Sequence, residues 1–180
     1  MKLNLGSHNK RIKGYTNVDA LGLENVDIVH NLTEYPYPFE ENSIDEILMT
    51  EVLEHISWRK TDAVLKECFR ILKVGGKMHI QVPDCGNMMK AMMNDWISEI
   101  IPHKPESEDQ VLKLRKETGK TVHPNRWLMA FCGAQKHEFD AHLNIFTAER
   151  LEDYIINAGF NKWDFKEDKL GWKLKVDIWK

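Results

Sequence analysis

Residues 2–20, KLNLGSHNKRIKGYTNVDA, contain the pattern that decides the fold. A short apolar run ends at Gly6, and after a polar stretch a second run ends at Asp19. Brief apolar runs that stop at turn residues are typical of buried strands. Residues 27–29 and 44–49 repeat this pattern before any helical periodicity begins, so this part of the chain predicts four closely spaced strands.

The next segment predicts a helix followed by a fifth strand. Residues 59–72 carry apolar side chains at helical spacing and predict an amphipathic helix, which we expect Gly75 and Gly76 to end. Residues 77–82 then form a fifth apolar run that ends at a proline. Strands that alternate with helices through short connections predict an α/β fold, with a Rossmann-like, mostly parallel sheet flanked by helices.

The C-terminal part of the chain predicts one more helix and two strands. Thr147 is suited to cap a helix over residues 147–158, and Gly159 is suited to end it. In the tail, alternate residues are apolar and would form one face of a strand: Trp172, Leu174, Val176 and Ile178. We expect this last strand to be antiparallel at the sheet edge, with residues 162–165 as its partner.

The connection between the first two predicted strands is short. Only residues 6–14 separate the two apolar runs. A parallel connection normally needs about a dozen residues or more, usually including a helix. We therefore predict that the first crossover helix is shortened to a single turn or absent.

Length and composition limit the classes of function. The chain has 180 residues and a formal net charge of −3, which favours one domain over residues 1–180 and argues against nucleic acid as a partner. No apolar run is long enough to span a membrane, and the first residues lack a signal-peptide pattern. Three widely spaced cysteines indicate reduced thiols, so we expect a cytoplasmic protein. Residues 85–126 match no pattern and are expected to form an insertion that covers the substrate.

Residues suited to a nucleotide-like ligand follow three of the predicted strands, where ligands of parallel sheets bind. Gly6 allows close approach to the backbone, and Asp19 can accept hydrogen bonds from ribose hydroxyls. Asn31 and Leu32 offer an amide and an apolar surface to a base. A pyrophosphate calls for a three-glycine turn, which this stretch lacks, so an NAD(P)-dependent oxidoreductase is a less favoured alternative.

Several further motifs accompany the opening stretch: DIVHNLTEYPYPFEENSIDEI (27–47), EVLEHI (51–56), RILKVGGKMHIQVPD (70–84) and AGF (158–160). With them the chain resembles class I S-adenosylmethionine-dependent methyltransferases, and it is similar in particular to short methyltransferases of the methyltransferase-11 type. The resemblance implies an enzyme that uses S-adenosyl-L-methionine. The leading hypothesis is a small-molecule or glycan acceptor, methylated by in-line transfer.

Carried onto this sequence, the resemblance implies ten cofactor contacts: Leu5, Gly6, Ser7, His8, Asp19, Ala20, Asn31, Leu32, Glu51 and Val52. Gly6 and Ser7 would lie under the methionine portion, and Asp19 would hold the ribose. Asn31 and Leu32 would contact adenine, while Glu51 would face the sulfonium side. The family often carries aspartate where Asn31 stands and a second glycine where His8 stands.

The acceptor determines whether the reaction needs a base. Positioning alone can supply several kcal/mol, so a shaped pocket can suffice. A hydroxyl acceptor must lose a proton, and the candidate catalytic residues are then His55, His142 and Glu51. Glu51 and Glu54 also have a structural interpretation, because acidic residues favour the start of the helix that follows.

A metal site and a non-catalytic role complete the alternatives. Cys132, His137 and His142, with Asp140 among them, are spaced at intervals of five, which fits no usual zinc pattern. We therefore expect no metal site. A binding or scaffold module that keeps the sheet but has lost catalysis is the other function considered, motivated by His8 and Asn31.

Overall fold

The computed structural model describes residues 1–93, 131–136, 138–169 and 171–180, which contain a sheet of seven strands. The strands are β1 (Lys2–Leu5), β2 (Thr16–Asp19), β3 (Ile28–Val29), β4 (Ile44–Thr50), β5 (Leu72–Pro83), β6 (Lys162–Lys166) and β7 (Lys173–Trp179). They are arranged in the order β3-β2-β1-β4-β5-β7-β6. The strands β1 to β5 are parallel to their neighbours within that group, and β7 is antiparallel to both β5 and β6. The predicted α/β class and mostly parallel sheet are thus confirmed.

The helices of the described residues all follow β4 in the chain. They are α1 (Trp58–Ile71), α2 (Cys85–Met93) and α3 (Ala148–Ala158), with short 3₁₀ turns at Leu53–His55 and Glu138–Asp140. The amphipathic α1 turns Val64, Leu65 and Cys68 into the core, where all three are fully buried. Burial of an aliphatic side chain of this size is worth roughly 1.5–3 kcal/mol, so this face of α1 is a main source of stability.

The first crossover contains no helix, as predicted: residues 6–15 run from β1 to β2 as turns and loop. Buried side chains fasten the loop in place of a helix. The amide nitrogen of Asn4 donates to the carbonyl of Lys10 (3.4 Å) and to Oδ1 of Asn17 (3.0 Å), and the amide nitrogen of Asn17 donates to the carbonyl of Asn25 (2.9 Å). The first and last of these bonds satisfy the carbonyls of Lys10 in this loop and of Asn25 in the loop after β2.

The end of α1 differs from the prediction. The helix ends at Ile71 rather than at the glycine pair, because Leu72 already has extended backbone angles and pairs with Ile44 in the sheet. Strand β5 therefore starts directly after the helix and includes Gly75 and Gly76. A register shift in the β4–β5 pairing accommodates this irregular first part of the strand.

The edge of the sheet also differs from the prediction. The last strand, β7, is antiparallel as expected, but it lies between β5 and β6, so β6 forms the edge. The physical reason is burial: β7 carries consecutive buried residues, Val176, Asp177 and Ile178, that need neighbours on both sides. Strand β6 exposes alternate charged residues, a pattern that suits an edge strand.

The caps of α3 agree with the sequence. The hydroxyl of Thr147 accepts a hydrogen bond from the backbone nitrogen of Arg150 (3.3 Å), and Gly159 ends the helix. Of the predicted cover over residues 85–126, only its first part, α2, lies within the described residues. No helix among the described residues is long and apolar enough to cross a membrane.

Candidate active site

A cleft of about 440 Å³ opens where the strands β1 to β4 end. Its size lies within the range of small-molecule sites. Residues from the four strand ends, from the start of α1 and from the segment before α3 line it: Gly6, His8, Asp19, Ala20, Leu21, Asn31, Leu32, Thr33, Glu51, Val52, His55, Ile56, Ser57, Lys60, Phe139, Asp140 and Leu143. Most of the predicted cofactor contacts therefore meet at one edge of the sheet.

Gly6 shapes the part of the cleft that follows β1. Its φ is +66°, and a Cβ built on it would lie 2.5 Å from Cγ2 and 2.8 Å from Cγ1 of Val52. Backbone and space thus both require glycine here. The backbone nitrogens of Gly6 and Ser7 donate to the carbonyl of Val18 (2.8 and 3.1 Å), which ties the loop to β2.

Asp19 closes β2 and organises the loop around it. Its Oδ2 accepts from the backbone nitrogen of His8 (2.7 Å), and its Oδ1 accepts from that of Leu21 (2.9 Å). Each carboxylate oxygen can accept a further hydrogen bond, so the carboxylate can still serve ligand hydroxyls. His8 has a left-handed φ of 46°, a conformation that favours glycine over a residue with a side chain.

Asn31 and Leu32 border the cleft after β3. Oδ1 of Asn31 accepts from the backbone nitrogen (2.9 Å) and the hydroxyl (3.0 Å) of Thr33, forming an Asx turn. Because this turn engages the oxygen, the amide nitrogen is the group that Asn31 can offer a ligand. The carbonyl of the buried Leu32 accepts from the hydroxyl of Tyr37 (2.8 Å), which holds the segment in place.

Glu51, directly after β4, has a φ of 57°, a rare conformation for a residue with a side chain. Neighbouring strands hold it there. Its backbone nitrogen donates to the carbonyl of Gln81 (2.8 Å), and its Oε1 accepts from the amide of the same residue (3.0 Å). Its Oε2 forms an ion pair with Lys173 of β7. Since two donors engage the carboxylate, a positioning role fits Glu51 better than the predicted role of a base.

His55 and His142 meet although they are far apart in the sequence. Their ring centroids lie 4.9 Å apart at an interplanar angle of 76°, and Nδ1 of His55 is 3.2 Å from the carbonyl oxygen of Ala141. His55 lines the cleft, whereas His142 is not among the lining residues. Leu5 and Ser7, two predicted cofactor contacts, are buried and likewise do not line the cleft.

Sequence reasoning missed Glu54 as a site residue, although its carboxylate lies close to both histidines. Its side chain is only 2% exposed, and neither carboxylate oxygen has a hydrogen-bond partner. Burial, together with the neighbouring charge of Glu51, raises the pKa of Glu54 to about 8. The acidic residues of EVLEHI were equally consistent with the start of a helix, and nothing in the local spacing indicated that His142 would lie beside them.

Comparisons with known proteins agree with this architecture. A structure from Archaeoglobus fulgidus, a SAM-dependent methyltransferase, is 13% identical over 99% of this chain and 85% of its own, with a TM-score of 0.58. SAM-dependent methyltransferases from Methanosarcina mazei are 18% identical over 98% of this chain and 89% of their own (TM-score 0.55). The Burkholderia thailandensis 1,6-didemethyltoxoflavin-N1-methyltransferase, solved with 1,6-didemethyltoxoflavin and S-adenosylhomocysteine, is 13% identical over 99% and 70% (TM-score 0.56). At these identities the likeness establishes the fold.

The strand order and the cleft at the strand ends define the fold of class I S-adenosylmethionine-dependent methyltransferases. Residues 9–80 match the methyltransferase-11 family model, which is described as a methyltransferase domain. No curated protein matches the sequence.

Proposed function

We propose that this protein transfers the methyl group of S-adenosylmethionine to a small-molecule or glycan acceptor held in the described cleft. One observation carries the proposal: Gly6, Asp19 and Asn31, from the ends of three different strands, all line the same cleft. Residues so far apart in the chain converge there only through the parallel sheet, where ligands bind at the strand ends.

The chemistry of the lining residues fits the cofactor. The absence of a Cβ at Gly6 leaves room for the methionine portion beside the backbone. Asp19 retains acceptor capacity for two ribose hydroxyls, and the Asn31 amide can donate to a ring nitrogen of adenine. Leu32 and Val52 supply apolar surface for the base and the chain. None of these groups requires a phosphate, in agreement with the missing three-glycine turn.

S-adenosylmethionine, when bound, supplies a methyl group that is already activated by the sulfonium. The protein's part is to position the acceptor and to exclude water. Phe139 and Leu143, which line the cleft with exposed apolar side chains, would cover it. The Glu51–Lys173 ion pair fixes the end of β4 beside the reacting groups. Of the three predicted bases, His55 is the one that both lines the cleft and is not in an ion pair with Lys173.

Calorimetry with S-adenosylhomocysteine tests the cofactor assignment. Asp19→Ala should weaken binding more than about tenfold, because a hydrogen bond to a charged group contributes about 1.5–3 kcal/mol. Asp153→Ala, which removes an exposed carboxylate on α3 away from the cleft, is the matched control and should bind like the wild type.

Asp19 also holds the loop, so its substitution could weaken binding by disrupting the loop. A second ligand distinguishes this effect from loss of the ribose contact. S-adenosylhomocysteine without its ribose hydroxyls should bind the wild type weakly and should bind Asp19→Ala no more weakly than it binds the wild type. An equal loss for both ligands on substitution would contradict the ribose contact. A folded wild type that releases no heat with the intact ligand would overturn the proposed function. Cofactor binding without methyl transfer to any acceptor of a broad panel would favour the scaffold alternative.

A further inference from the structure

The carboxylate of Glu54 is the least explained buried group of the described residues. Its backbone carbonyl accepts from the nitrogens of Leu143 (2.7 Å) and Asn144 (3.1 Å), but both side-chain oxygens lack a hydrogen-bond donor. Burying a carboxylate without partners costs several kcal/mol, so buried carboxylates are normally paired, protonated or bound to a metal. Its location beside the cleft makes a functional explanation worth testing.

Two histidines lie within reach of this carboxylate. One possible ligand atom from each of Glu54, His55 and His142 can be chosen so that all three lie within 4.8 Å of one another. Ligand atoms that bind one ion at about 2.0–2.2 Å lie roughly 3–4 Å apart, so the three side chains would draw slightly closer together around it. Two imidazoles and one carboxylate are a donor set typical of divalent transition metals, with further positions open to water or a ligand.

The backbone holds the three side chains together. The hydrogen bonds from Leu143 and Asn144 fasten the segment that carries His142 to the carbonyl of Glu54. The backbone nitrogen of His142 donates to the carbonyl of Cys132 (3.0 Å), which secures the same segment on its other side. Nδ1 of His55 faces the carbonyl of Ala141 at 3.2 Å. Such a contact orients the ring, as hydrogen bonds from neighbouring groups do for many metal-bound histidines.

The local charge also favours a cation. Glu51 and Glu54 place two carboxylates close together in the segment after β4. Lys173 forms an ion pair with Glu51, whereas neither carboxylate oxygen of Glu54 has a hydrogen-bond partner. A divalent ion would compensate the second and would satisfy its oxygens without protonation.

We infer that Glu54, His55 and His142 form a binding site for a divalent transition-metal ion at the side of the cleft. This differs from the expectation drawn from sequence spacing, because the ligands belong to two separate segments and do not include Cys132. His55 then acts as a ligand rather than as a base.

The site also points to a class of acceptor, a consequence that rests on the proposed function. His55 lines the cleft, so the open positions of the ion would face the place where an acceptor binds. A metal ion makes a coordinated hydroxyl more acidic and orients it. The acceptor would therefore carry an oxygen: its O–H proton leaves to solvent, the oxygen–methyl bond forms and the sulfur–methyl bond breaks.

Equilibrium dialysis of EDTA-treated protein against Zn²⁺, with Co²⁺ absorption as a second readout, tests the site. The wild type should bind about one ion per chain with Co²⁺ bands typical of nitrogen and oxygen ligands. His142→Ala and the nearly isosteric Glu54→Gln should each weaken binding at least about tenfold, since even indirect ligand changes cost 10–100-fold. His79→Asn removes a histidine that pairs with Asp177 away from the cluster, and it should bind as the wild type does.

Three results would contradict the metal site. Unchanged affinity in Glu54→Gln, loss of binding in His79→Asn, or no stoichiometric ion in the wild type would overturn the metal site. The last result would mean that Glu54 is buried as a neutral acid. Circular dichroism and S-adenosylhomocysteine binding show that the variants are folded. Because they are measured on metal-free protein, failure of cofactor binding there would overturn the proposed function and not the metal site.

Discussion

Replacing Gly6 by alanine should destabilise the protein in two separable ways. The first is backbone strain, because a φ of +66° costs an L-residue roughly 1–2 kcal/mol. The second is a collision, because the new Cβ would lie 2.5 and 2.8 Å from the two methyl groups of Val52. Overpacking of this kind costs roughly 1–3 kcal/mol. The sum, about 2–5 kcal/mol, is a large part of the stability of an ordinary domain, which is about 5–15 kcal/mol.

A double-mutant cycle separates the two contributions. Val52→Ala alone should cost about 2 kcal/mol, because it removes two buried methyl groups. Combined with Gly6→Ala, it also removes the collision, so the double variant should be about 1–3 kcal/mol more stable than the sum of the single changes predicts. Urea unfolding followed by tryptophan fluorescence measures all four proteins.

Gly14 provides the matched control in the same loop. Its φ is +87°, but nothing lies within 4 Å of a Cβ built on it. Gly14→Ala should therefore show the backbone cost alone and no coupling with Val52→Ala. A coupling below about 0.5 kcal/mol for the Gly6 pair, or an equal coupling for the Gly14 pair, would refute the steric argument.

Two further predictions concern other parts of the fold. Thr147→Ala should lower the free energy of unfolding by about 1 kcal/mol through loss of the helix cap, as measured by urea unfolding, whereas Thr147→Ser should lose little; equal losses would contradict the cap. Burial alone would raise the pKa of Asp177, but hydrogen bonds from Lys77 and His79 outweigh burial and lower it. Because the pKa of Asp177 is lower in the folded state than in the unfolded state, its ionised form stabilises the protein at pH values above the unfolded-state pKa. This stability is lost as the pH falls through the folded-state pKa. The stability gap between the wild type and Asp177→Asn should thus shrink between pH 7 and about pH 3, and a gap independent of pH would contradict the assignment.

The strand ends were predictable because their signals are local. Gly6 and Asp19 each stop a short apolar run, and parallel strands bring such stops to one edge. Thr147 and Gly159 likewise identify both ends of α3 from single residues. The absence of the first crossover helix followed from chain length alone.

The remaining features depend on contacts between distant segments. The helix ends before Leu72 because this residue pairs with Ile44 in the sheet. The local sequence contains no helix-ending residue that would predict this. The place of β7 inside the sheet depends on which strand best covers β5. The cluster of Glu54 and His142 exists only because the segment before α3 folds back over the turn after β4. A local sequence pattern cannot predict a contact between segments so distant in the chain.

Asn4 and Asn17 hold the first crossover in place, and this affects how much free energy is needed to unfold each part of the molecule locally. Helices α1 and α3 pack against each other and contribute Val64, Leu65, Leu151 and Ile155 to the hydrophobic core. The loops after β1 and β2 rely on side-chain hydrogen bonds instead. Regions with few apolar contacts open at lower free energy than helix-backed strands. Among the described residues, we therefore expect the lip of the cleft to unfold locally first, and a bound ligand that bridges the strand ends would protect its amide hydrogens from exchange.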